Sequence, residues 1–148
     1  MALENKINEV AENEFYSPAY HRAVSEKRLI GAKCHACGVI TVPPKAVCPE
    51  CRASEVSLIN FKGTGKLAAY TVIYVPPPMM AEEGFNPKNP YCSGIVELEE
   101  GPRITARILG VDLTRPDQIP VGIPVRAEYV EAEHGGVKRT YLAFKALP

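Results

Sequence analysis

The chain has 148 residues, 46% of them hydrophobic and 23% charged, with a formal net charge of +0. These values suit one compact domain or two small modules and exclude a disordered or strongly basic chain. No apolar run approaches the roughly 20 residues of a membrane span, and "MALENKINEVAENE" lacks the apolar core of a signal peptide. A cytoplasmic location with reduced cysteines is the expectation.

Charge is unevenly spread. Residues 1–20 hold Lys6 against Glu4, Glu9, Glu12 and Glu14, a net −3. Residues 21–66 hold eight basic and three acidic side chains, a net +5, and the remainder is at −2. A basic middle segment suits phosphates as well as a solvated surface.

Leu3, Ile7 and Val10 recur at i, i+4 and i+7, the stripe of a short amphipathic helix. Ser17 and Pro18 suit the N-cap and first position of a second helix, which the pattern carries to about Arg28 with Tyr20 and Val24 on one face. "RLIGAKC" then reads as a strand. "CHACGVITVPPKAVCPEC" (34–51) is rich in Pro and Gly and too poor in large apolar residues for a conventional core.

From about residue 58 the pattern becomes β. "GKLAAYTVIYV" (65–75) reads as an apolar strand covered on both sides. "PPPMMAEEGFNPKNP" (76–90) is a Pro-rich loop long enough to suggest docking, with Met79, Met80 and Phe85 as candidate interface residues. Residues 91–110 read as a hairpin turning at Glu99-Glu100-Gly101-Pro102, and 124–132 with 138–147 as a hairpin around His134-Gly135-Gly136. Residues 113–122 connect them with room for a helical turn. About five strands with tight turns and no repeat fit a small closed barrel.

Cys34, Cys37, Cys48 and Cys51 have the spacing C-x2-C-x10-C-x2-C. Two such knuckles complete a sulfur tetrahedron, the geometry structural Zn2+ prefers. Gly38 relieves the first knuckle, whereas Arg52 in the same place predicts a less regular second one. A redox pair would open a helix after a strand. Disulfides conflict with a reducing compartment, and an iron–sulfur cluster usually takes other spacings. Four thiolates close the shell and leave no position for substrate, so the metal is expected to be structural. His35, inside the first knuckle, reads as an exposed side chain.

Cys92 reads as a buried small hydrophobe. No G-x-G-x-x-G, P-loop or G-x-S-x-G is present. "FKGTGK" (61–66) reads as a strand-entry turn, and the acidic pairs Glu82-Glu83 and Glu99-Glu100 as solvated surface. No self-sufficient catalytic constellation emerges.

The order of "RLIGAKCHACGVITVPPKAVCPEC", "GTGKLAAYTVIYV", "VELEEGPRITARILG" and "VGIPVRAEYVE" behind an N-terminal helical pair resembles the DUF35 family over nearly the whole chain. The resemblance implies a mainly β fold: an N-terminal helical segment (1–30), a rubredoxin-like zinc ribbon (31–57) and a five-stranded OB-fold barrel (58–148). It implies a non-catalytic subunit that supports assembly and acyl-CoA binding beside a thiolase-fold partner, which supplies the catalytic Cys and His. Systems of this kind include benzoylsuccinyl-CoA thiolase, the archaeal acetoacetyl-CoA thiolase and HMG-CoA synthase complex, and steroid side-chain aldolases. Arg103 and Arg107, four apart on one strand, with Lys62 or Lys66, are candidate contacts for CoA phosphates. A nucleic-acid binder is the other reading, with Phe61, Tyr70, Tyr74 and Tyr91 for base stacking, but zero net charge weighs against it. A stand-alone thiol enzyme is least supported.

Overall fold

The computed structural model describes residues 17–147. The helix expected around Leu3, Ile7 and Val10 lies outside the described residues. The chain divides into two compact units, one containing residues 17–62 with Glu100–Pro102 and one containing Gly63–Glu99 with Arg103–Pro148. Among the described residues no helix is long and apolar enough to cross a membrane.

In the first unit, helix α1 (Ser17–Ser25) precedes strands β1 (Ile30–Cys34), β2 (Ile40–Thr41) and β3 (Val56–Asn60). Pro18 sits in the first turn, where its missing N–H costs nothing. The buried stripe is Ala19, Ala23 and Val24, one residue off the expected Tyr20–Val24 face, with Tyr20 half-buried. The helix also stops short of the expected Arg28. Lys27 takes the left-handed conformation at φ 62°. Its N–H donates to the Val24 carbonyl at 2.9 Å and the Arg28 N–H to the Ala23 carbonyl at 2.8 Å. That paired closure satisfies the last carbonyls and turns the chain out of the helix.

β1 is the central strand of the small sheet, antiparallel to both β2 and β3. Ile30, Ala32 and Cys34 are buried on one face of β1, and Leu29 and Phe61 are buried as well. Gly31 is required there, because a Cβ at that position would lie 2.5 Å from the Phe61 ring and 2.5 Å from the Thr41 carbonyl oxygen.

The second unit is a closed barrel in the order β4-β5-β6-β8-β7. Its strands are β4 (Thr64–Ile73), β5 (Tyr91–Leu98), β6 (Arg103–Leu109), β7 (Pro124–His134) and β8 (Val137–Ala146). β4 pairs with β7 to close the ring, and β6 runs parallel to β8. Both expected hairpins are present. Leu67, Cys92, Val96, Val125 and Phe144 fill the interior, each 0% exposed. Gly94 makes room for this packing: a Cβ there would stand 2.7 Å from Ile108 Cγ1 and 2.9 Å from Leu67 Cδ1.

Two expectations are corrected here. β4 ends at Ile73, and the apolar run beyond it is uncovered, with Tyr74 43% and Val75 81% exposed. The loop 76–90 contains a short helix, α2 (Pro78–Glu82), started by the run of prolines. The connector near 113–122 holds a 3-10 turn at Pro116–Gln118.

Phe144→Ala is expected to lower the unfolding free energy of the barrel by about 3–5 kcal/mol, read from urea denaturation, whereas a loss below about 1 kcal/mol would contradict its place at the centre of the core.

Candidate functional site

The two Cys-x-x-Cys knuckles are built the same way. In the first, the Gly38 N–H donates to the Cys34 carbonyl at 2.9 Å and the Cys34 N–H to the Val39 carbonyl at 2.9 Å. In the second, the Arg52 N–H donates to the Cys48 carbonyl at 3.0 Å and the Cys48 N–H to the Ala53 carbonyl at 2.9 Å. Gly38 and Arg52 occupy equivalent left-handed positions, φ 80° and 66°. The second knuckle is therefore as regular as the first, contrary to expectation. Arg52 accepts a conformation that glycine adopts without strain.

The four Sγ atoms lie within 4.8 Å of one another. Cys34 and Cys51 approach to 3.5 Å, as do Cys37 and Cys48. No disulfide joins them, and a bonded pair would stand about 2.05 Å apart. Sulfurs held about 2.3 Å from one shared Zn2+ would stand roughly 3.8 Å apart, so the donor set fits that ion with little adjustment.

Backbone amides aim at the sulfurs. Those of Cys37 and then Ala36 hold the Cys34 thiol below its usual range, against burial. Those of Cys51 and then Glu50 bring Cys48 down to about 7. The Val39 amide also favours the Cys37 thiolate, but the Cys48 sulfur, burial and the other two sulfurs push Cys37 up to about 12. Cys51 is raised by the Cys34 sulfur and burial, against the Ala53 amide. Four thiolates cannot share so small a volume without a cation, while two thiolates and two thiols can. A divalent ion replaces the shared protons, and its uptake releases them. His35 is exposed and its Nε2 lies 2.8 Å from Ser57 Oγ.

Cys92 is 0% exposed, and burial pushes its thiol up to about 11. A protonated, sealed thiol is a poor nucleophile.

The basic candidates are placed differently from one another. Lys66, Glu97 and Arg103 form one exposed row across β4, β5 and β6. Arg103 Nη2 lies 3.9 Å from Glu97. Lys62 lies in the first unit, where its N–H donates to the Glu100 carboxylate at 2.9 Å.

Arg107 is held under the 76–90 loop. Its guanidinium bonds Glu83 at 2.9 Å, with the two side chains 17% and 10% exposed. It also lies 5.0 Å from the centre of the Phe85 ring and 5.9 Å from that of Tyr91. Met80 Sδ is 3.5 Å away. Glu83 is thus no solvated charge, as its acidic pair had suggested. It pins the loop to the barrel in a pair that is strong because water is largely excluded.

Met79 is 49% exposed, while Met80 and Phe85 are half-buried. Met79, Met80, Arg107, Tyr141 and Leu142 line a groove of about 230 Å3 on the barrel. The partnership of Glu83, Phe85 and Tyr91 around Arg107 escaped sequence reading. The sequence hint was the acidic pair Glu82-Glu83 set between Met80 and Phe85. Of the four aromatics that base stacking would use, Phe61 and Tyr91 are 8% exposed. The Tyr70 hydroxyl donates to the Pro116 carbonyl at 2.7 Å, which leaves Tyr74 as the open ring.

Residues 22–57 match a family model described as the ChsH2 rubredoxin-like zinc ribbon domain, and residues 59–130 one described as the ChsH2 C-terminal OB-fold domain. A DUF35 domain-containing scaffold protein of Methanocaldococcus jannaschii is 35% identical over 109 residues, 73% of this chain and 72% of that one. The chain belongs to the DUF35 family. A second DUF35 domain-containing scaffold protein, from Methanothermobacter thermautotrophicus, is 36% identical over 109 residues, 73% of this chain and 76% of the relative. A probable enoyl-CoA hydratase alpha subunit of Thermomonospora curvata is 32% identical over 114 residues, 77% of this chain but 33% of its own length. Among solved structures, a chain of an Ltp2–ChsH2(DUF35) aldolase superposes with a TM-score of 0.67 at 30% identity, covering 86% of this chain and 91% of that one. A DUF35 protein of Sulfolobus solfataricus shares the fold, with a TM-score of 0.57 at 19% identity over 95% and 96% of the two chains.

With the metal stripped, Ellman titration of this DUF35 chain is expected to count four fast thiols under native conditions and the fifth, Cys92, only in denaturant. A fifth fast thiol in the native protein would show that the barrel does not seal Cys92.

Proposed function

We propose that the chain is a non-catalytic, zinc-binding subunit of a thiolase-type complex. It supports assembly and helps hold acyl-CoA while a thiolase-fold partner performs Claisen or retro-Claisen carbon–carbon chemistry with its own Cys and His. The observation that carries this reading is the use made of the thiols. Cys34, Cys37, Cys48 and Cys51 would hold the ion in a closed shell with no position for substrate. Cys92, the remaining cysteine, is sealed and protonated. When bound, zinc supplies a cross-link between the knuckles and no reactive water.

The relatives support a partnered role, since two are described as scaffold proteins and one solved counterpart comes from an aldolase assembly. The uncovered run of Tyr74, Val75 and Met79 adds apolar surface of the kind interfaces use. Met80 and Phe85 fit beneath it as supports of the same loop, held by Arg107.

Co-expression with candidate thiolase-fold subunits tests the reading. The expected result is a hetero-oligomer containing one zinc per copy of this chain, whose activity survives Cys92→Ser. A chain that stays monomeric beside every such partner, or a complex inactivated by Cys92→Ser while still folded, would overturn it.

A further inference from the structure

A polar cavity lies in the first unit, against α1 and the small sheet. It measures about 160 Å3 and is lined by Ala19, Arg22, Arg28, Ile30, Leu58 and Asn60, with Ile59 completing the wall. Arg22, Arg28 and Asn60 thus border one concavity. Its floor is apolar, with Ala19 and Ile30 4% and 5% exposed.

The two arginines differ in their commitments. Arg28 is oriented by Glu26, whose Oε2 accepts from both Nε at 3.2 Å and Nη2 at 2.7 Å, and Nη1 is not used in that contact. Arg22 stands in the last turn of α1 and has no ion pair or side-chain hydrogen bond among the described residues. Their spacing follows from the end of the helix. The left-handed turn at Lys27 brings the chain back from Arg22, so that Arg28 leads directly into β1. Asn60 stands opposite Ile30 in the pairing of β3 with β1, which brings its amide to the same rim.

We infer that this cavity is a binding site for a phosphate ester, with Arg22, Arg28 and Asn60 as its donors. Guanidinium groups match phosphate oxygens in both charge and geometry. A cavity of this size is about half the smallest usual drug-sized pocket, so it admits a phosphate and the adjoining part of a ligand, not a whole cofactor. The row of Lys66, Glu97 and Arg103 lies exposed on the barrel strands, whereas Arg22, Arg28 and Asn60 line a concavity. The inference rests on geometry alone for the site. Only the identification of the ester as part of acyl-CoA rests on the proposed function.

The test is titration of the zinc-loaded full-length chain at low ionic strength. Adenosine 3′,5′-bisphosphate, CoA, inorganic phosphate and adenosine serve as separate probes, followed by calorimetry and by the arginine side-chain N–H resonances. The bisphosphate and CoA are expected to bind and to shift the Arg22 and Arg28 signals, whereas adenosine does not. Inorganic phosphate binding as tightly as both would identify a free-phosphate site and overturn the assignment to an ester. Arg22→Gln with Arg28→Gln is expected to weaken bisphosphate binding at least tenfold, with circular dichroism and zinc content unchanged. Unchanged affinity in that variant, or loss of binding in Lys66→Gln with Arg103→Gln instead, would overturn the site. If the arginine-dependent binding holds but no thiolase-fold partner assembles, the function fails and the site stands. If the complex assembles but no phosphate compound binds, the site fails and the function stands.

Discussion

The segment from residue 35 to residue 55 depends on four sulfurs meeting at one point. Of residues 35–55, only Pro44 and Cys48 are buried. Ordering a residue's backbone costs about 1–2 kcal/mol, and so small a buried surface cannot offset that over the length of the segment. A structural Zn2+ contributes apparent binding free energies of about 10–16 kcal/mol in zinc-finger peptides. The metal therefore takes the place of a hydrophobic core. The same requirement explains the knuckles: the Val39 and Ala53 amides that favour the Cys37 and Cys51 thiolates come directly after the left-handed Gly38 and Arg52.

The barrel meets the opposite condition. It closes on its own apolar interior and needs no ion. Its surface carries one expensive feature, the Arg107–Glu83 pair. Removing either partner of a well-shielded pair leaves an uncompensated charge. That cost fixes the loop that follows β4, and with it the orientation of Met79 and Met80. A rigidly presented apolar loop is a better docking element than a mobile one, because less order remains to be imposed on association.

Much of this was legible in the sequence for identifiable reasons. The metal centre was readable because ligand spacing is a local property. The hairpins were readable because their turns are marked by Gly and Pro. The helix end at Lys27 and the second knuckle at Arg52 were misread, because neither residue announces a left-handed backbone as glycine does. Glu83 was misread because its partner lies 24 residues away, and no local pattern brings Arg107 beneath it. Val75 looked like a core strand residue by type. Its exposure follows from where β4 stops pairing with β5, at Ile73 opposite Tyr91.

Zinc-edge X-ray absorption on the purified chain and on its complex tests the central claim most directly. A closed structural shell predicts four sulfur ligands at about 2.3 Å, unchanged when acyl-CoA is added. A nitrogen or oxygen ligand, or a first shell that changes on adding acyl-CoA, would contradict it and return the chemistry to this chain.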